Sequence, residues 1–382
     1  MGLAGGLVVF IFTVIALTAP VNNFKVASVS FTAILAALTG VFGLTLVALY
    51  RRVPGPAASV ASIYVAFVAW MFGLVLIDGA TRQGVQFIMV QVASIGALLL
   101  TATARRALGY RLDVLVARCF RFTLSVLVGS EILGAVDVQL KNSVRVAAIV
   151  SLICMGWFLS EYRLGNRASL WWALAGLLGI AVSLSRTALF AGMVLFVVSM
   201  LFAPSKRRVR SVIFCLLLVA TGAWAVTSWA PLHDRFVQGD VNLSVAGIDV
   251  NSEGRTKVWA VVWSGAQNEL LIGHGPGAAS ALSLSVEPSF DHPHNDYLLL
   301  LYDFGLVGLV FSAWFSIRSA SLLRKARKRS RGLIAPVAAL NAGLAILIMM
   351  VTDNPLDYPF VMIPLVALIG LGLGATGDQV AT

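Results

Sequence analysis

ASLWWALAGLLGIAVSLSRTALFAGMVLFVVSMLFAPSKRRVR, residues 168–210, decides the fold class. Its two apolar runs, 168–185 and 187–204, each approach the roughly 20 residues that a helix needs to cross a hydrocarbon core. Arg186 marks the turn between them, and Lys206, Arg207, Arg208 and Arg210 close the stretch. The runs are continuous, whereas barrel strands would alternate over about ten residues. The same pattern recurs along all 382 residues, of which 59% are hydrophobic and 12% charged, with a mean hydropathy of +0.90. A soluble domain carries about 25% charged residues. A soluble globular protein, a disordered chain and a coiled coil are therefore excluded.

The runs predict an all-α polytopic membrane protein of about twelve transmembrane helices. They fall at 5–20, 27–50, 58–77, 84–103, 120–137, 144–160, 168–185, 187–204, 211–230, 296–317, 333–351 and 358–376. The first is short and lacks the basic flank of a signal peptide. Glu131 weakens 120–137. Twenty of the 28 basic residues follow the even-numbered runs, at 51–52, 105–121, 163–167, 206–210 and 318–331. By the positive-inside rule that face is cytoplasmic, and both termini lie on it. The net charge of +11 is thus spread over short connections, unlike the concentrated patch of a nucleic-acid-binding module, so no nucleic acid partner is expected. Cys119, Cys154 and Cys215 have neither metal-ligand nor disulfide-framework spacing. The chain divides into an N-terminal transmembrane bundle of about nine helices (1–230), a hydrophilic outer loop with short helices (231–295) and C-terminal transmembrane helices (296–382). The loop holds seven acidic and three basic residues, the reverse of the opposite face, and 256–268 is expected to form a short interfacial helix.

All four histidines, His233, His274, His292 and His294, lie in or at the edge of the outer loop. Histidine moves protons near neutral pH, so the outer face is the expected working face, although histidine also simply avoids hydrocarbon. In FDHPHNDYLLLLYDFGLVGL, residues 290–309, Pro293 interrupts the helix and Asn295 or Asp296 can cap the next one. His294 then stands just before a positive helix end, which favours a neutral, proton-accepting ring, with Asp291 or Asp296 available to orient it. Two other assignments fit the string. One is interfacial capping with Tyr297 as an aromatic anchor. The other is a metal held by Asp291, His292, His294 and Asp296, although Pro293 limits that geometry. Arg82, Arg186 and Arg255 are outer-face arginines whose forked guanidinium suits phosphate, pairing with a carboxylate being the alternative. LIGHGPGA, residues 271–278, lacks the flanks of a nucleotide motif and reads as a tight turn, either plain or presenting N–H groups to phosphate.

Four strings in order then resemble the bacterial O-antigen ligase and polymerase superfamily. They are SRTALF at 185–190, GRTKVW at 254–259, GHGPG at 273–277, and HN at 294–295 followed by GLVG at 305–308. The resemblance implies a GT-C-like membrane fold of about twelve helices with one large periplasmic loop, in the bacterial inner membrane. It implies a metal-independent inverting glycosyltransferase without a cofactor. The implied donor is a glycan on undecaprenyl diphosphate, and the acceptor is lipid A–core for a ligase or the growing glycan for a polymerase, with membrane lipids as further partners. It assigns diphosphate binding to Arg186 and Arg255 and the general base to His294. Arg82 matches no motif, and with His274, Gly275 and Asn295 it stands as a further substrate-binding candidate. A polysaccharide or lipid transporter would share the span count, but it would place ionisable residues mid-span along a path.

Overall fold

The computed structural model describes residues 3–17, 25–26, 29–50, 53–79, 81–134, 144–202, 243–245, 248–250, 254–329 and 332–375, with single positions between 213 and 228. The expected span at 211–230, the basic cluster at 206–210 and His233 lie largely or wholly outside them.

The described elements are almost all helical. Helix α1 (Leu3–Val9) runs on through a π turn at Phe10–Val14 and a 3-10 turn at Ile15–Leu17. A minimal hairpin follows, β1 (Lys25–Val26) with β2 (Val29–Ser30). Next come α2 (Phe31–Tyr50), α3 (Gly55–Asp78), α4 (Arg82–Leu108), α5 (Arg111–Gly134), α6 (Val144–Arg163), α7 (Ser169–Val182) and α8 (Arg186–Leu201). A second small hairpin pairs β3 (Leu243–Val245) with β4 (Ile248–Val250). The chain continues through α9 (Arg255–Ala266), α10 (Ala278–Val286), α11 (Asp296–Arg329), α12 (Ile334–Met349), a 3-10 turn at Pro355–Asp357 and α13 (Pro359–Gly374). Among the described residues α3, α4 and α11 are long and apolar enough to cross a membrane, and six shorter apolar helices accompany them. The structure is that of a predominantly helical membrane protein, and among the described residues fewer helices reach spanning length than the twelve runs lead one to expect.

Helix α13 lies at the centre and is buried on every side from Pro359 to Leu373, as its unbroken apolar sequence requires. Its close partner is α4. A β-carbon at Gly370 would lie 2.2 Å from the Leu98 carbonyl oxygen, so only glycine admits this approach. Thr101 Oγ1 donates across the contact to Ala367 O at 2.7 Å. Small residues thus let two backbones meet where lipid offers no hydrophobic drive for helices to associate.

Two boundaries differ from expectation. Helix α5 begins at Arg111, so Arg111, Arg118 and Arg121 sit on a helix and not in a connection. Gly109, at φ 57, ends α4, and the buried Arg105–Asp113 pair at 2.6 Å fastens the start of α5 to it. Helix α11 continues past 317 to Arg329 and carries Arg318, Arg324, Lys325, Arg327 and Lys328. Lysine and arginine are good helix formers, and their charge suits a helix C-terminus, so leaving the apolar layer does not end the helix.

Candidate functional site

Helix α11 is broken at Gly305, which has φ 65 and ψ −165. An unbroken helix would pair the N–H groups of Leu306 and Val307 with the carbonyls of Tyr302 and Asp303. The turn 270–277 replaces both partners. His274 N–H donates to Tyr302 O at 2.9 Å and Gly275 N–H to Asp303 O at 3.0 Å. Leu306 N–H donates to Leu270 O at 2.8 Å and Val307 N–H to Leu271 O at 3.4 Å. These four backbone groups freed by the break are therefore satisfied, as an apolar surrounding demands. Glycine is needed on both sides of this joint. A β-carbon at Gly305 would meet Leu271 O at 2.2 Å, and one at Gly273 (φ 87) would meet the Asp303 carbonyl carbon at 2.6 Å. The strings GHGPG and GLVG are thus two halves of one contact.

The same joint anchors its neighbours. The Asp303 carboxylate accepts from Gly277 N–H at 2.8 Å and Ala279 N–H at 2.6 Å, capping α10. The His274 ring stacks on Tyr302 with centroids 4.2 Å apart. Thr81 N–H donates to Pro276 O at 3.4 Å, which docks the α3–α4 corner, and exposed Arg82 with it, on the turn. The reading of this turn as a presenter of N–H groups to phosphate is corrected: those of His274, Gly275, Gly277 and Ala279 are engaged within the fold.

His294 precedes α11 in the left-handed region, at φ 50. Phe290 stands edge-on to its ring, with centroids 5.4 Å apart, and its ring edge would lie 3.4 Å from a β-carbon at Gly254. Trp259 Nε1 donates to Pro293 O at 2.7 Å, pinning α9 to the histidine loop. Asn295 is the N-cap of α11, its side-chain oxygen accepting from Tyr297 N–H at 3.0 Å and Leu298 N–H at 3.1 Å. Asp296 is fully buried, its N–H donates to Met350 O at 2.9 Å, and its carboxylate accepts from Leu356 N–H at 3.0 Å.

The segment 350–358 between α12 and α13 ties the arginines to this loop. Arg255, the first residue of α9, donates through Nη1 to Thr352 O at 2.8 Å. The Thr352 hydroxyl hydrogen-bonds the Thr187 hydroxyl, one residue from Arg186 at the start of α8. One threonine thus gathers the helix ends that bear Arg186 and Arg255. His292 joins the cluster too, its Nδ1 lying 3.0 Å from Ser280 Oγ and 3.4 Å from the Asp357 carboxylate. Burial pushes the Asp357 carboxyl above its ordinary range, and the His292 charge opposes that shift. Among the described residues no three His, Cys, Asp or Glu side chains form a metal-ligand set. Asp291, His292, His294 and Asp296 do not converge, because Asp296 turns inward and Asp291 stays 3.8 Å from the far side of His292.

Sequence reasoning passed over Thr352, Asp353, Asn354 and Asp357. The available signal was TDNPLD, a polar string between two apolar runs at the outer end.

These features define a helical membrane protein with an arginine- and histidine-bearing site at one end of its bundle, beside a discontinuous helix. Residues 169–313 match the family model described as O-antigen ligase, a domain match that supports the resemblance to the O-antigen ligase and polymerase superfamily. All four motif strings fall inside the match, while Arg82 and the segment 350–358 fall outside it. Comparison with curated proteins gives no match. The family implies ligase- or polymerase-type transfer of lipid-linked glycans by a multi-pass bacterial membrane protein.

Proposed function

We propose that the chain is an inverting glycosyltransferase that moves a glycan from undecaprenyl diphosphate to an acceptor hydroxyl at the periplasmic face. As an O-antigen ligase its acceptor is lipid A–core. The observation that carries the reading is the convergence on Thr352, which draws the starts of α8 and α9 together beside the His294 loop. Arg186 and Arg255 then hold the diphosphate through charge-assisted bonds. His294 accepts the proton of the acceptor hydroxyl as its oxygen attacks the anomeric carbon. The bond from that carbon to the diphosphate oxygen breaks, and the departing charge settles on the guanidiniums. A single displacement inverts the anomeric centre. No metal is required, because arginine supplies the positive charge. The topology that belongs to this reading has about twelve spans, both termini cytoplasmic and the site periplasmic, in the inner membrane.

Purified protein given lipid-linked glycan and lipid A–core, after treatment with EDTA, tests the proposal. The expected product is glycan-capped lipid A–core of inverted configuration, and Arg255→Lys lowers the rate by about 10²–10³. A longer glycan still on its carrier, with lipid A–core unused, identifies a polymerase instead. No transfer to either acceptor rejects the transferase reading. Activity lost to EDTA and restored by zinc rejects the metal-free mechanism.

A further inference from the structure

A cavity of about 470 Å³ lies among α3, α4, α8, α11, α12 and α13. Its size is that of a ligand cleft, which spans about 300–1,000 Å³. Its wall along α11 runs from Phe311 to Arg327, about 24 Å at 1.5 Å per residue. One end touches Met350 and Leu356, whose backbones hold Asp296. The other end is rimmed by Arg163, Arg324 and Arg327.

Two observations select the occupant. Arg163, held over the Phe202 ring at 5.5 Å, lies close enough to Arg327 for their charges to repel, and an anion between them relieves this. Ser319 also lines the cavity, is 3% exposed, and its hydroxyl has no hydrogen-bond partner among the described residues. A buried hydroxyl left so is costly unless a bound molecule supplies the acceptor. It stands about 7.5 Å along the helix from Arg324.

We propose that this cavity binds an acidic glycerophospholipid. Its phosphate lies on Arg163, Arg324 and Arg327, an ester carbonyl accepts from the Ser319 hydroxyl, and one acyl chain runs along the cavity toward Leu356. The glycerol unit spans the offset between arginine rim and serine, and the second chain stays in the bilayer. A polyprenyl phosphate carries no carbonyl and leaves Ser319 unanswered. With its phosphate at the other end, on Arg255, it would also drive hydrocarbon toward three guanidiniums. The assignment to the cytoplasmic leaflet rests on the proposed orientation; the lipid chemistry does not.

Native mass spectrometry of the full chain in detergent reads the site without any transfer assay, so its outcome is separate from that of the proposed activity. The probes are phosphatidylglycerol and phosphatidylcholine with identical acyl chains. Wild type is expected to retain one phosphatidylglycerol in preference by about tenfold or more. Arg324→Gln with Arg327→Gln, both on an exposed helix end, should abolish the preference while the melting temperature holds. Ser319→Ala should weaken retention of ester-linked phosphatidylglycerol severalfold and leave its ether-linked analogue unchanged. Equal retention of the two headgroups, or a preference that survives the arginine changes, overturns the proposal. Displacement of phosphatidylglycerol by equimolar polyprenyl phosphate assigns the cavity to that chain and overturns it as well. Ester and ether lipids responding alike to Ser319→Ala remove the carbonyl contact.

Discussion

His294 holds φ 50, where a side chain with a β-carbon is disfavoured by about 1–2 kcal/mol and asparagine is among the best tolerated. His294→Asn is therefore the informative substitution, because it keeps the backbone and removes the base. It should bind donor normally and transfer glycan about 10²–10⁴ more slowly; wild-type turnover would exclude His294 as the base. A second expectation concerns Asp357. Burial raises its carboxyl above the ordinary 3.8, so the fold favours the protonated form. Its contribution to stability is complete below that value and is lost as pH rises through the folded pKa. Asp357→Asn stays neutral throughout, so its melting temperature should gain on wild type as pH climbs above 3.8. A difference that stays constant with pH contradicts this. Arg186, Arg255 and His294 stand out in the sequence because ionisable residues at the ends of apolar runs are scarce, and the structure brings the starts of α8 and α9 together at Thr352. Thr352 itself does not stand out, since a threonine carries no charge and its role arises from contacts to residues far away in the chain.

Among elements, the break in α11 makes the sharpest demand on the sequence. Gly305→Ala places a β-carbon 2.2 Å from a carbonyl oxygen at a positive φ. The backbone strain alone is about 1–3 kcal/mol, and the clash adds to it. Loss of folded protein, or a large drop in melting temperature in detergent, is expected. Gly73→Ala is the control, since nothing lies within 4 Å of its β-carbon inside α3; it should stabilise by about 0.5–1 kcal/mol. Equal melting temperatures for the two variants would show that the break tolerates a side chain. The glycine strings were visible in the sequence, but their pairing was not. Hydropathy reads 296–317 as one uninterrupted span, because a single carboxylate, Asp303, is averaged away among its apolar neighbours although it stands beside the break. Helix starts were legible where a cap announces them, as Asn295 does for α11. The end of α11 was misjudged because charge marks the membrane boundary and not the helix boundary.

For the whole molecule, the alternation of basic clusters supports the proposed orientation, which labelling can check. Single cysteines at positions 327 and 207 should be shielded from an impermeant reagent in intact cells, and those at 274 and 249 should react. Reaction at 327 without reaction at 249 reverses the topology. Membrane class and the crowding of chemistry at one end of the bundle were legible because both follow from composition along the chain. The number of crossings is harder to read. α7, α8, α12 and α13 are apolar yet shorter than a full crossing, and a run such as Pro359–Gly374 is apolar because protein surrounds it on every side. Hydropathy cannot distinguish a helix buried in its neighbours from one that faces lipid.

The joint between the turn 270–277 and the break at Gly305 also sets an order of assembly during biogenesis. The turn emerges from the ribosome before α11 exists, so its donors wait in water until α11 is in place. Helix α11 first enters as a regular helix, since an open break would strand four backbone groups in hydrocarbon, each at a cost of several kcal/mol. Only when the turn docks can residues 302–307 unwind, and that docking caps α10 through Asp303 and brings Ser280 to His292. Assembly of this end of the bundle is thus a late step that follows membrane insertion.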